Sequence, residues 1–267
     1  MYNIIYILFL ITVFVNRILL NENYQYILNN GSMYYFICKY VEQKLFLKHM
    51  KNIISDINKT SKVLDFGSGP GIMSEFFDEY IGIDTDKSRI EFASKMYPNK
   101  IFKTIDPIDE SVNSELPFAK ELHFTKELPF TKEYFDVVLF NDCIHHISNQ
   151  NMNLILIEIS RVLKSDGIII VREPKKDTNI ITYIITEIFE NGDYVRSSKE
   201  YMSLFYNYEI IDEQSNNEII RDYYIVKIKK REMDNEDIIV NKNINYERKY
   251  INNVLMISIL TKFFFLY

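Results

Sequence analysis

The stretch that most constrains this chain is VLDFGSGPG, residues 63–71, where a short apolar run leads directly into three glycines. The first four residues predict a buried strand, and the glycines predict a tight turn into a helix that begins near Ile72. Glycine accepts a positive φ and lets a ligand approach the main chain. The N-terminus of a helix offers N–H groups without intrahelical partners. This stretch therefore predicts a ligand site at a strand–turn–helix junction.

Short apolar runs recur between residues 62 and 230, and segments with helical spacing separate them. The predicted strands are KVLDF, YIGID, KIFKTI, FDVVLF, GIIIVRE, YEIIDEQ and DYYIVKIKK. Helices are predicted over KSRIEFASKMY and NLILIEISRVLK, with SDG as the stop signal of the second. Strands that alternate with helices form βαβ units, so we expect an α/β fold with a mostly parallel sheet covered on both faces.

The chain divides into four predicted parts. Residues 1–20 form a hydrophobic N-terminal segment, 21–60 a helical cap, 61–230 the main domain and 231–267 a charged, asparagine-rich extension. Within the main domain, residues 115–132 repeat a six-residue unit three times, ELPFAK, ELHFTK and ELPFTK. A six-residue unit is too short for a solenoid repeat, so we interpret this insert as an exposed loop lengthened by duplication.

The N-terminal segment leaves three interpretations open. Its apolar core of about 12 residues is shorter than the ~20 that a spanning helix needs. It shows neither a basic flank nor a small-residue cleavage site of the kind that a signal peptide carries. A membrane anchor, a buried or lid helix and a cleaved signal all remain. We expect a cytoplasmic protein, membrane-associated if residues 1–20 anchor it.

The net charge and the cysteine spacing argue against certain ligands, namely nucleic acids and metal ions. The net charge of −6 argues against a bulk polyanion, so no nucleic acid is expected. Cys38 and Cys143 lie far apart and form no metal-ligand spacing, which predicts free thiols in a reducing compartment. The sequence makes no prediction of oligomeric state.

Two ligand classes compete for the glycine turn. A nicotinamide or flavin fold holds a pyrophosphate with GxGxxG. Here the third glycine comes one residue early, and Asp65 lies two positions ahead of the first glycine. A carboxylate repels a pyrophosphate but attracts an ammonium group. These residues therefore favour S-adenosylmethionine, which combines an ammonium, a carboxylate, a ribose and an adenine.

The same stretch resembles motif I of the class I S-adenosylmethionine-dependent methyltransferases. The resemblance continues through YIGIDTD, ELPFTKEYFDVVLFNDCIHHI and ISRVLKSDGIIIVREP, and it covers about residues 60–230 in the small-molecule group of that family. It implies a Rossmann-like, doubly wound, seven-stranded sheet with an antiparallel last strand. It also implies direct methyl transfer to a small molecule, or a lipid-like one. The alternatives are a non-catalytic S-adenosylmethionine-binding partner subunit and a nucleotide-dependent oxidoreductase.

The resemblance also assigns cofactor contacts. Asp65 would hold the methionine ammonium through water, Asp84 the two ribose hydroxyls and Asp106 the adenine amino group, while Asn141 would border the methionine moiety by its backbone. The alternatives are a helix N-cap for Asp84 and a turn before Pro107 for Asp106. The full predicted set is Asp65, Gly67, Ser68, Gly69, Gly71, Asp84, Thr85, Asp106, Asn141 and Asp142.

His145 and His146 are candidate catalytic bases, because a neutral imidazole accepts a proton near pH 7. The alternative is that they begin a helix and make local hydrogen bonds. Adjacent histidines on a helix point in different directions, so no shared metal is expected. Arg172 is predicted either to face the substrate or to form a surface ion pair.

Two regions are expected to grip the acceptor. They are residues 34–40 and residues 175–208, whose aromatic side chains suit either a small apolar acceptor or a packed lid. In the third copy of the repeat, Leu128, Pro129 and Phe130 match the family's LPF, with Phe135 and Asp136 following. We interpret Asp136 as a structural cap on the strand that starts there.

Overall fold

The computed structural model describes residues 50–106, 127–179, 182–183, 194–216 and 222–231. The predictions for residues 1–20, 21–49, 107–126 and 232–267, including the proposed acceptor contacts at 34–40, lie outside these ranges. Within them, no helix has both the length and the apolar character needed to cross a membrane.

One seven-stranded sheet organises the described chain. Its strands are β1 (Lys62–Phe66), β2 (Glu79–Asp84), β3 (Ile101–Thr104), β4 (Phe135–Asn141), β5 (Leu163–Pro174), β6 (Tyr208–Asn216) and β7 (Tyr223–Lys230). Their order is β3-β2-β1-β4-β5-β7-β6. The first five strands pair in parallel, and β7 is antiparallel to both β5 and β6. The predicted doubly wound, mostly parallel α/β fold is confirmed.

Helices cover both faces of this sheet. They are α1 (Lys87–Met96), α2 (Asn149–Val162) and α3 (Ser198–Leu204), with short 3-10 helices at Ile72–Phe76 and Ile144–His146. One face buries a core that includes α2 and α3, and the other packs against residues 50–54 and the first 3-10 helix. Side chains alternate between the faces along each strand, so that Leu64 and Val63 enter different cores.

Two local predictions differ in detail from the structure. The glycines lead into a helix at Ile72 as predicted, but it is a five-residue 3-10 helix. The SDG stop signal lies inside β5, because sheet pairing already begins at Leu163, opposite Phe135, and resumes with Val137 opposite Ile168 after an irregular register. Gly167 is needed there for a close approach, since a Cβ atom would lie 2.6 Å from Leu163 Cδ1.

The third copy of the repeat is anchored on α2. The Leu128 amide donates to Glu158 Oε2 at 2.9 Å, and Arg161 donates to the carbonyls of Phe130 and Leu128 at 2.8 and 3.0 Å. Asp136 Oδ2 accepts the Lys62 amide at 2.7 Å, which ties the start of β1 to the start of β4. The structural interpretation of Asp136 is confirmed.

We expect Glu158→Ala to release this anchor. The buried Leu128 amide would lose its acceptor, a change that costs about 1–3 kcal/mol. Hydrogen–deuterium exchange of that amide, followed by NMR, should accelerate about tenfold or more. Glu91→Ala is the control, because Glu91 forms only an exposed ion pair with Lys87. Equal exchange in the two variants would show that Glu158 does not hold the segment.

Candidate functional site

The backbone amides of the glycine loop, residues 67–71, donate hydrogen bonds to other groups of the protein. The Gly67 and Ser68 amides both donate to the Ile83 carbonyl, at 2.8 and 3.0 Å. The Gly69 amide donates to Asp84 Oδ2 at 2.8 Å, and the Gly71 amide donates to the Ser68 carbonyl at 3.0 Å. A pyrophosphate site needs such amides directed at the ligand. This loop is therefore poorly suited to a dinucleotide.

Two glycines fit the loop tightly between its neighbours. Gly67 has φ +75°, and a Cβ atom there would lie 2.5 Å from Cys143 Cβ. Gly71 has φ +80°, and a Cβ atom there would lie 2.6 Å from the Phe102 ring. Both positions exclude a side chain by backbone conformation and by space. The loop is thus packed between β3 and the turn that follows β4.

Asp65 is a buried carboxylate just before the glycine loop, and one of its two oxygens accepts no hydrogen bond from the described residues. The residue is 1% exposed, and the Tyr80 hydroxyl donates to its Oδ2. Its Oδ1 has no hydrogen-bond partner in the described part of the chain. Burial raises the pKa of Asp65 to about 7, with the Tyr80 hydrogen bond opposing the shift and the nearby Asp84 charge adding to it. An unpaired, buried carboxylate oxygen is suited to a cationic ligand.

Asp84 ends β2 as predicted, and it does not cap a helix. Its Oδ2 accepts the Gly69 amide and its Oδ1 the Asp86 amide, each at 2.8 Å. The cap of α1 is Asp86, which accepts the amides of Ser88 and Arg89 at 2.9 and 3.1 Å. Each oxygen of Asp84 has a second lone pair that can accept a further donor. The carboxylate remains able to bind a diol.

The other predicted contacts lie along the same edge with different exposure. Ser68 is buried, and its Oγ has no partner among the residues that the structure describes. Thr85 and Asp106 are exposed. The Ile105 amide donates to the Asp84 carbonyl at 3.0 Å, which places the end of β3, and Asp106 after it, beside the end of β2.

Charged side chains meet around Cys143. Burial raises the pKa of its thiol, and Glu173, Asp65, Asp84 and Asp142 add to that rise by their negative charge. Asp65, Asp84 and Asp142, which were predicted separately at the ends of β1, β2 and β4, therefore lie near one buried thiol. We call these three carboxylates the acidic cluster.

Arg172 forms an ion pair with a carboxylate, as one of its two predictions had it, but the pair is buried and does not lie at the surface. Arg172 is 2% exposed, it contacts the carboxylate of Asp142, and its guanidinium lies 3.5 Å from the Tyr223 ring centroid. Asn141 ends β4, and its Oδ1 lies 3.4 Å from Arg172 Nη1. Asp142 has φ 54°, and its Oδ1 has no partner in the described ranges.

The two histidines differ in environment. His145 is 1% exposed, and its Nδ1 lies 2.6 Å from Glu173 Oε2, whereas His146 is exposed. They lie in a 3-10 helix and do not begin α2. Glu173 is fully buried and also accepts the amides of Cys143 and Ile144 at 2.8 Å. The only sequence signal for Glu173 was an acid at the end of an apolar strand.

Aromatic residues expected near the acceptor lie in the core. Tyr201 and Phe205 are 0% and 1% exposed, and Tyr201 stacks on Tyr224 with ring centroids 6.3 Å apart. Tyr201, Leu204 and Phe205 therefore pack in the core beside the sheet. In the described ranges, no group of three or more histidine, cysteine, aspartate or glutamate side chains could hold a metal ion.

A family model described as a methyltransferase domain matches residues 64–171, which run from within β1 to within β5 and include the glycine loop and the acidic cluster. Over these residues the chain is similar to that family. A curated relative, protein 235L of Invertebrate iridescent virus 6, whose name proposes a methyltransferase, is 28% identical over 152 residues. The match spans 55% of this chain and 48% of that relative, or about half its length.

Solved structures share the fold of this chain. A protein from Pyrococcus horikoshii OT3 matches with a TM-score of 0.54 and 17% identity, over 72% of this chain and 92% of its own. Geranyl diphosphate C-methyltransferase from Streptomyces coelicolor A3(2), solved with S-adenosyl-L-homocysteine, matches with a TM-score of 0.51 and 11% identity. The match covers 71% of this chain and 76% of that one. The [4+2]-cyclase SpnF matches with a TM-score of 0.50 and 14% identity, over 68% of this chain and 80% of its own.

Proposed function

We propose that this chain is an S-adenosylmethionine-dependent methyltransferase that transfers a methyl group to a small molecule. The observation that carries the proposal is the pair of buried carboxylates, Asp65 and Asp84, on either side of a glycine loop whose amides are already bonded. Such a site is unsuited to phosphates but matches a ligand with an ammonium and a ribose diol. S-adenosylmethionine has both groups.

The residues of the acidic cluster fit this cofactor group by group. Asp65 Oδ1, unpaired in the part of the chain that the structure describes, would accept the methionine ammonium. Asp84 would accept the two ribose hydroxyls with its remaining lone pairs. Asp106 and Thr85 would line the adenine side, and Asn141 and Asp142 the methionine side. Gly67, Ser68, Gly69 and Gly71 would let the cofactor lie against the main chain.

The cofactor supplies a methyl group already activated on a sulfonium, so the protein's task is alignment and exclusion of water. A base is needed only if the acceptor keeps a proton. Glu173 holds Nδ1 of His145, which assigns the ring proton to that nitrogen and leaves Nε2 as the basic atom. A proton-accepting role for His145 would therefore use Nε2. His146 is the exposed alternative.

The second candidate is a module that binds the cofactor without transferring its methyl group. Two observations support this candidate: a [4+2]-cyclase has the same fold, and His145 is buried and bonded to Glu173. This candidate keeps the same cofactor site and differs only in turnover. Binding data alone do not separate the two.

Calorimetry tests the cofactor directly. The chain should bind S-adenosylmethionine and S-adenosylhomocysteine and should give no heat with NAD. Incubation with S-adenosylmethionine and a cell extract should then yield a small molecule with one added methyl mass. Binding without any methylated product would favour the non-catalytic module. Binding of NAD in place of S-adenosylhomocysteine would refute both candidates.

A further inference from the structure

We propose that Tyr80 is a positioning residue for the cofactor: its hydroxyl holds Asp65 so that the free oxygen meets the ammonium, and cofactor binding releases a proton from that carboxyl. The inference rests on the proposed function, because it concerns the same ammonium contact. It adds a residue that the motifs do not contain and a pH dependence that they do not imply.

The register of β2 against β1 makes Tyr80 the β2 residue whose side chain can donate a hydrogen bond to Asp65. Asp65 pairs with Gly82, which has no side chain, while Tyr80 pairs with Val63, two residues earlier on β1. A Cβ atom on Gly82 would lie 2.7 Å from Ser68 Oγ, so the position directly opposite Asp65 has no room for a polar group. The Tyr80 side chain reaches Asp65 diagonally across the strand pair.

Packing holds the Tyr80 ring in place. The residue is 3% exposed, and its ring centroid lies 5.7 Å from that of Phe102, whose ring is 6.3 Å from that of Tyr97. The pKa of Tyr80 is raised well above 10 by burial and by the adjacent Asp65 charge. The hydroxyl therefore keeps its proton and stays a donor throughout the working pH range.

The groups that face Asp65 come from two neighbouring elements. From β2, Tyr80 donates a hydrogen bond and Asp84 contributes a negative charge; from the turn after β4, Cys143 contributes a buried, neutral thiol. Within the described chain, no cation contributes to the raised pKa of Asp65. The carboxyl is therefore half protonated near pH 7, and Tyr80 alone among these groups favours its ionised form.

Binding of an ammonium beside this carboxyl changes the balance. The cationic group favours the ionised form of Asp65, so the proton passes to solvent as the ligand enters. With a pKa of about 7, the protein should release about half a proton per S-adenosylhomocysteine at pH 7.

The first measurement counts that proton in the wild-type chain. Titration calorimetry with S-adenosylhomocysteine in two buffers of different ionisation enthalpy gives the number released. We expect about half a proton at pH 7, and adenosine, which lacks the ammonium, should release none. Over pH 6 to 7.5, where the ligand keeps its own proton, affinity should rise about eightfold.

The second measurement removes the hydroxyl with Tyr80→Phe. Loss of this hydrogen bond disfavours the ionised form of Asp65; if the bond contributes about tenfold, the variant should bind about tenfold more weakly than wild type at pH 6 but only about threefold more weakly at pH 7.5. Proton release at pH 7 should rise to about 0.9. Tyr97→Phe is the matched control, since that hydroxyl donates to Glu75.

The possible outcomes distinguish a failure of the proposed function from a failure of the role assigned to Tyr80. If wild type does not bind S-adenosylhomocysteine, the proposed function fails. If wild type binds but releases no proton at pH 7, or if the ratio between Tyr80→Phe and wild type is the same at every pH, the role of Tyr80 is wrong. Should Tyr80→Phe fail to fold, the wild-type proton count decides: a midpoint near pH 7 supports the inference, and one near pH 4 overturns it.

Discussion

Glu173→Ala should lower the free energy of unfolding by about 4 kcal/mol, the largest effect of any single change considered for this domain. Glu173 is fully buried at the end of β5. Its two oxygens accept the amides of Cys143, Ile144 and His145 at 2.8, 2.8 and 3.2 Å. The same carboxylate pairs with His145 Nδ1 at 2.6 Å. One side chain thus satisfies an entire turn.

The expected loss is large because alanine leaves these groups without an acceptor. Each buried, unsatisfied donor costs about 1–3 kcal/mol, and the change would leave the three turn amides and the His145 ring without their acceptor. These costs overlap and do not add, since they describe one carboxylate. Arg196 holds the far side of the same turn by donating to the carbonyls of Ile144 and Ile147 at 3.1 and 2.7 Å, so some local order should survive.

Urea denaturation followed by circular dichroism measures this prediction. Glu173→Gln should lose less than Glu173→Ala, because its amide oxygen still accepts from the turn. Glu209→Ala is the control: Glu209 forms an ion pair with Lys229 in which both side chains are about half exposed, and such pairs contribute about 0–1 kcal/mol. A loss below 1 kcal/mol in Glu173→Ala would contradict the role assigned to this carboxylate.

The features that the sequence predicted well depend on neighbours along the chain. Period-two apolar runs located all seven strands, and the glycine spacing located the loop, because backbone conformation there is decided within a few residues. Asp86 as the cap of α1 is local in the same sense, since its side chain bonds to Ser88 and Arg89. Such contacts repeat a spacing that can be recognised without a structure.

The features that the sequence missed depend on contacts across the sheet. Glu173 bonds to residues about 30 positions earlier, and Tyr80 reaches Asp65 across 15 positions. The stop signal SDG failed for the same reason, since pairing of Leu163 with Phe135 extends β5 through it. Tyr201 and Phe205 likewise enter the core, because α3 packs on the sheet. No local pattern records which distant element will supply a partner.

Asp84→Asn should weaken the binding of S-adenosylhomocysteine about a hundredfold. A carboxylate that accepts two ribose hydroxyls makes two charge-assisted hydrogen bonds, each contributing about 1.5–3 kcal/mol. Asparagine removes the charge and replaces one acceptor oxygen by a donor. That donor would also face the Gly69 or Asp86 amide, both of which now donate to Asp84, so the glycine loop would lose a contact as well.

Ligand fragments and a neighbouring variant make this test specific. Asp84→Asn should weaken adenosine and S-adenosylhomocysteine by similar factors, since both carry the ribose. Asp86→Asn is the matched control, because asparagine caps a helix as well as aspartate does and Asp86 lies two residues away. Unchanged affinity in Asp84→Asn would remove the ribose role from this residue.

Asp84→Asn also has a consequence for pH that differs in sign from that of Tyr80→Phe. The negative charge of Asp84 helps to raise the pKa of Asp65, and the Tyr80 hydrogen bond lowers it. Removing the charge should therefore move the midpoint of the pH dependence of binding below pH 7, whereas removing the hydroxyl should move it above. Calorimetry of both variants from pH 5.5 to 7.5 measures the two shifts. Opposite shifts require that both side chains act on one buried carboxyl, and shifts in the same direction would show that the titrating group is not Asp65.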